Sequence, residues 1–197
     1  MSTNYDAMVV GGGLVGSALA YGLQRQGLST IMLDEGDFAF RAARGNFGLV
    51  WVQGKGIDFP AYAQWTWQSA ESWSELSAEI NTITGEDIGY RRPGGADICI
   101  NAQEFEAKRE KMLRLRSHAK HFNFEMLDRK AMAELAPGLG PDVAGGCYSP
   151  ADGHVNPLLL LRGLHQCLLA KGGRIDNGAI VTAIQRRGKT FAIATEK

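Results

Sequence analysis

The amino-acid sequence predicts an α/β fold built on a parallel sheet, and three stretches near its start carry that expectation. Ala7–Val10 is a short apolar run ending in glycine, the pattern of a strand covered on both faces. Val15, Ala18, Leu19, Gly22 and Leu23 then recur at helical spacing, and Gly27 supplies a left-handed stop. Ser29–Leu33 resumes as a second buried strand, completing a βαβ unit.

The remaining elements follow in order. From Glu35 to Asp58, "EGDFAFRAARGNFGLVWVQGKGID" has neither helical nor strand period and reads as a loop, functional or mobile. Pro60 opens an amphipathic helix in which Tyr62, Trp65, Trp73, Leu76, Ile80 and Ile83 lie near one stripe, read as core. Around "GYRRPGGADICI" the period becomes that of strands, with Pro93, Gly94 and Gly95 marking a turn or bulge. Gln103–Ala119 is a helix whose "KREKMLRLR" charges form a solvated face balanced by Glu104, Glu106 and Glu110. A short helix from Asp128 to Ala136 stops before Pro137, and "GLGPDVAGG" is loop. Asn156 caps a helix with Pro157 in its first turn; Leu158–Leu169 fill it, and Gly172 and Gly173 end it. Ala179–Gln185 and Thr190–Thr195 are joined by "RRGK" as a hairpin.

Composition narrows the function. The 197 residues suit one good-sized domain, or one domain carrying an insert. A net charge of zero and 21% charged residues give no general attraction to nucleic acid or to an anionic membrane. Three cysteines, Cys99, Cys147 and Cys167, stand at wide spacings without a C-x-x-C, which fits core packing in a reducing, cytoplasmic compartment. The apolar run around Val9–Leu23 is broken by glycines, so neither a signal peptide nor a membrane span is read there.

Gly11, Gly13 and Gly16 form G-x-G-x-x-G between the first strand and the first helix. The first glycine permits a tight turn, the second lets backbone approach a pyrophosphate, and the third lets helix and sheet pack closely. The helix N-terminus faces the phosphates with free N–H groups and partial positive charge. Asp34, at the end of the second strand, can accept hydrogen bonds from ribose hydroxyls and repels the extra phosphate of NADP. A nicotinamide domain continues into further alternating helices and strands. This sequence instead gives "RAARGNFGLVWV", where Gly45, Asn46 and Gly48 let backbone pass close to a ligand, and Arg41 and Arg44 can neutralise phosphate charge. That pattern suits an extended FAD.

The stretches "VVGGGLVGSALAYGL", "LDEGD", "AARGNFG", "GYRRPGG" and "YSPADGHVNPLLLLRGL" resemble, in order, the landmarks of the FAD-dependent D-amino-acid oxidase (DAO) superfamily, which includes glycine and sarcosine oxidases. "GNFGLVWVQGKG" is most similar to the flavin subunits of opine and D-hydroxyproline dehydrogenases. The resemblance implies a Rossmann-like FAD-binding domain of the glutathione-reductase type, formed by residues 1–84 and 151–197. Residues 85–150 form the first part of an inserted α+β substrate domain. It implies a pyrophosphate site at Gly11, Gly13, Leu14, Val15 and Gly16, and a ribose site at Asp34 and Glu35. Arg41, Ala43, Arg44, Gly45, Asn46, Gly48 and Leu49 lie near pyrophosphate and flavin, and the Val181 backbone pairs with adenine. The implied chemistry is oxidation of a C–N bond in an amino acid or secondary amine by hydride transfer to flavin, with an electron-accepting hetero-oligomeric partner.

Family members are longer, and their later landmarks would fall beyond Lys197, so the sequence reads as the N-terminal half of such an enzyme. Residues 1–197 alone are expected to bind FAD weakly or not at all. No catalytic residue is nominated, because an amine that reacts in its neutral form requires no strong acid or base. His154 in "DGHVNP" orders a turn, and His118 and His121 lack a third metal ligand. Two alternatives stand beside this reading: a non-catalytic nucleotide-binding or interaction module, and an NAD-dependent dehydrogenase.

Overall fold

The structure is a computed structural model that describes residues 4–36, 42, 43 and 45–196. In chain order its elements are β1 (Ala7–Val10), α1 (Leu14–Arg25), β2 (Thr30–Asp34), β3 (Leu49–Val50), α2 (Pro60–Glu71), α3 (Trp73–Thr84), β4 (Gly95–Cys99) and α4 (Ala102–His118). They continue with β5 (Glu125–Asp128), α5 (Arg129–Leu135), β6 (Gly145–Ser149), β7 (Gly153–His154), α6 (Pro157–Ala170), β8 (Arg174–Asn177), β9 (Val181–Arg187) and β10 (Thr190–Thr195). Two compact units result: Met1–Phe47 with Ser77–Ile88 and Asn156–Lys197, and Gly48–Leu76 with Gly89–Val155.

The first unit contains the βαβ core. β1, β2 and β8 form a parallel sheet in the order β1-β2-β8, with Val9 opposite Met32 and Met32 opposite Ile175. Val9, Ala20, Met32 and Leu168 are buried together, and Leu23 and Ile175 pack against them. Burying a side chain such as Leu168 stabilises the fold by roughly 1.5–3 kcal/mol. α6 presents Leu160, Gly163, Leu164, Cys167 and Leu168 inward at helical spacing. Asn156 caps that helix through its side chain, accepting from the N–H groups of Leu158 and Leu159. Gly163 must be small, since a Cβ there would meet Ile80 Cγ2 at 2.7 Å.

In the second unit β6 lies between β4 and β5 in an antiparallel sheet, and β3 pairs with β7. At the start of α4 the Asn101 side chain accepts from the Glu104 N–H, and the Glu104 carboxylate reaches back to accept from the Ile100 N–H. Of the α4 charges, Arg109 pairs with Glu106, Lys108 with Asp97 and Arg114 with Asp58, while Arg116 lies over the Phe124 ring.

Several sequence expectations are corrected. The stripe read through Tyr62 and Ile83 is not one helix: α2 and α3 meet at Ser72, whose hydroxyl donates to the Gln68 carbonyl. Tyr62 and Trp65 are 40% and 67% exposed, whereas α2 buries Ala63 and Ala70. The stripe therefore breaks where the helix does. β6 begins inside the segment read as loop, at Gly145, because partners on both sides satisfy its backbone and make side-chain propensity secondary. β8, "RIDN", has no apolar period and is a strand through its parallel pairing to β2. β5 and the two-residue β3 are further strands absent from the sequence expectation.

Candidate functional site

Gly11 closes β1. Its N–H donates to the Leu33 carbonyl at 2.8 Å, and its φ of +101° is the left-handed conformation that favours glycine. At Gly16 a Cβ would lie 1.9 Å from the Gly11 carbonyl oxygen, so the helix approaches the strand this closely only with glycine. Gly13 differs: its φ is −74°, and a Cβ there would meet nothing within 4 Å. No contact among the described residues requires glycine at 13, whereas a phosphate lying against the backbone does. Gly13 is the N-cap of α1 and supplies no capping side chain, leaving first-turn N–H groups for an external acceptor.

The loop borders a cavity of about 780 Å³ lined by Gly11, Gly12, Gly13, Leu14, Val15, Gly16, Asp34, Glu35, Ala42, Ala43 and Asn46, with apolar walls from β1 and α1. The structure thus brings nine of the sequence-derived candidates to one cavity. Gly45 lies beside this lining in the chain but not in it. Arg41 and Arg44 lie outside the described residues. Gly48 and Leu49 belong to the second unit; Gly48 has a φ of +79°, its carbonyl accepts from the Val155 N–H, and Leu49 pairs with His154. Val181 does not line the cavity. It starts β9, shortly after Gly178 and Ala179, whose N–H groups donate to the Asp34 carbonyl at 2.7 and 2.8 Å.

Asp34 is buried, 7% exposed, at the end of β2. Its Oδ2 accepts from the Gly12 N–H at 2.6 Å and its Oδ1 from the Gly36 N–H at 2.9 Å. A carboxylate offers several acceptor positions on its two oxygens, the chemistry that takes a ribose hydroxyl beside a backbone N–H. Apolar walls, an uncapped helix N-terminus and this carboxylate fit the pyrophosphate and ribose of an FAD.

His165 in the first unit, and Asp152 with Gln53 in the second, belong to no sequence motif. His165 on α6 places Nε2 2.8 Å from Ser17 Oγ and 3.3 Å from the Gly12 carbonyl oxygen. It lines a further cavity of about 630 Å³ with Gly12, Gly13 and Asp34. Burial holds its imidazole below the ordinary histidine value, outweighing the Gly12 carbonyl and the Asp34 charge. Within the second unit, fully buried Asp152 accepts from the N–H groups of Val52 (2.5 Å) and Gln53 (3.3 Å) and from the Gln53 side-chain amide (2.6 Å). Desolvation raises its pKa against those three donors.

The cysteines are buried, and burial pushes the Cys147 thiol up to about 12. His154 exchanges backbone hydrogen bonds with Arg91. His118 meets the Gly56 carbonyl, and the His121 ring lies 6.5 Å from Trp67. Among the described residues no group of three or more His, Cys, Asp or Glu could hold a metal, and no helix is long and apolar enough to cross a membrane.

The βαβ core and its glycine loop define an α/β dinucleotide-binding protein. Residues 6–197 match the family model described as DAO, FAD dependent oxidoreductase, and the chain belongs to that family, whose cofactor is FAD. It is 40% identical over 190 residues to an opine oxidase subunit from Rhizobium meliloti, covering 95% of this chain and 51% of the relative. To the corresponding opine oxidase subunit from Agrobacterium tumefaciens (strain Ach5) it is 36% identical over 201 residues, covering 98% and 54%. The crystal structure of glycine oxidase from Geobacillus kaustophilus shares the fold, with a TM-score of 0.90 at 22% identity over 99% of this chain and 52% of that one. The chain spans about half the length of these relatives.

Proposed function

We propose that this chain carries the dinucleotide-binding part of an oxidoreductase that oxidises the C–N bond of an amino acid or secondary amine of opine, glycine or sarcosine type. The observation that carries the substrate class is the 40% identity to a protein named as an opine oxidase subunit. FAD, when bound, supplies a two-electron acceptor for the hydride leaving the carbon beside the amine. The protein positions it. Gly11, Gly13 and Gly16 hold the pyrophosphate, with Leu14 and Val15 offering N–H groups at the positive end of α1. Asp34 and Glu35 orient the ribose. Ala43, Gly45, Asn46, Gly48 and Leu49, with Arg41 and Arg44, flank pyrophosphate and flavin, and the Val181 backbone meets adenine.

Residues 1–84 and 151–197 serve the cofactor in this reading, and 85–150 begin the substrate domain. The relatives' designation as subunits supports a hetero-oligomer that passes electrons to a partner, and the wide cysteine spacing without a C-x-x-C supports a cytoplasmic location. The test is anaerobic mixing of the protein, as its gene encodes it, with a panel of opines, secondary amines and D-amino acids. Bleaching of flavin absorbance by a member of the panel is the expected result. A flavin reduced by none of them overturns the substrate class, and a protein that binds nucleotide without any redox change is a non-catalytic module.

A further inference from the structure

We propose that His165 is a positioning residue for the dinucleotide, holding the glycine loop from behind in the shape that presents its N–H groups. The inference rests on the FAD reading above. The loop is gripped on two successive peptide groups. Asp34 takes the Gly12 N–H at 2.6 Å, fixing the peptide between Gly11 and Gly12. The next peptide is held by its oxygen: the Gly12 carbonyl accepts from Ser17 Oγ at 3.2 Å and lies 3.3 Å from His165 Nε2. In a trans peptide the N–H points opposite to the C=O. A carbonyl held toward α6 therefore aims the Gly13 N–H away from α6, and no hydrogen bond reaches that N–H among the described residues.

Proton accounting favours one tautomer. Ser17 Oγ carries one hydrogen, and His165 Nε2 lies close to both Ser17 Oγ (2.8 Å) and the Gly12 carbonyl (3.3 Å). If Nε2 were bare, it would face the carbonyl oxygen as acceptor against acceptor. With the proton on Nε2, His165 donates to Ser17 Oγ and toward the Gly12 oxygen, and Ser17 donates to the same oxygen. All three groups are then satisfied. Burial of the ring, which favours its neutral form, is consistent with this state.

The experiment compares His165→Leu and His165→Gln with wild type, each in the protein as its gene encodes it. It measures the FAD dissociation constant, the melting temperature of the apoprotein and the ring 15N spectrum of wild type. Leucine keeps bulk and loses the donor; glutamine can place an N–H near the Nε2 position. Expected are an FAD dissociation constant raised about tenfold by His165→Leu and within about threefold of wild type for His165→Gln. A neutral Nε2–H tautomer at pH 7 is expected in wild type. Equal affinity in all three proteins overturns the inference, as does glutamine failing like leucine with a matching loss of apoprotein stability. An Nδ1–H tautomer in wild type overturns it even where the variants do not fold. Wild type that binds no FAD overturns the FAD reading itself, and this inference with it.

Discussion

The carboxylate of Asp34 reaches back from the end of β2 to accept the Gly12 N–H at 2.6 Å, so the group expected to meet the ribose also shapes the glycine loop. Asp34→Ala removes an ionised acceptor from two backbone donors. A ribose hydrogen bond to this charged group contributes about 1.5–3 kcal/mol, so its loss is expected to lower FAD affinity roughly 10- to 100-fold. Isothermal titration with FAD measures it.

Two glycines of one motif are expected to respond differently. At Gly16 an added Cβ collides with the Gly11 backbone oxygen, and overpacking of this kind costs about 1–3 kcal/mol. Gly16→Ala should lower both the apoprotein melting temperature and FAD retention. At Gly13 the backbone is unstrained and the space is open. Gly13→Ala should leave the apoprotein melting temperature within a degree or two of wild type while FAD binding is lost.

Asp152 faces three donors and ties the segment through Val52 and Gln53 to the start of β7. Asp152→Asn cannot offer an acceptor to all of them, and its amide opposes the Gln53 side-chain N–H. A loss of about 1–3 kcal/mol in chemical denaturation is expected. Gln53→Leu, which removes the opposing amide, should restore part of it in the double variant.

His165 sets a pH dependence whose sign follows from its lowered pKa. Between that lowered value and the ordinary 6.5, the unfolded chain binds a proton that the fold does not. The stability it contributes is complete above 6.5 and is lost as pH falls through the folded value. Melting temperatures measured from pH 7.5 down to about 5 should decline more steeply in wild type than in His165→Gln.

What the sequence made legible was local. β1, α1, β2 and α6 announce themselves through apolar period and glycine or asparagine punctuation, and Gly11, Gly13, Gly16 and Asp34 through spacing along one βαβ unit. The bracing of that loop was not legible, because His165 meets Ser17 across 148 positions, and a lone histidine in "RGLHQCLL" carries no motif. Asp152 and Gln53, 99 positions apart, are equally silent. β8 and β6 escaped for a related reason: polar "RIDN" and glycine-led "GGCYS" become strands through their neighbours. The exposed Tyr62 and Trp65 show the converse error, in which an apolar stripe continues in the sequence across a point where the helix breaks.

That FAD lies on the glycine loop is tested most directly by the visible absorption spectrum and flavin-to-protein ratio of the protein as its gene encodes it, purified beside Gly13→Ala. About one FAD per wild-type chain is expected, beside a colourless, folded variant. A wild-type protein that takes NAD and no flavin, or a Gly13→Ala variant that retains FAD as wild type does, would contradict it.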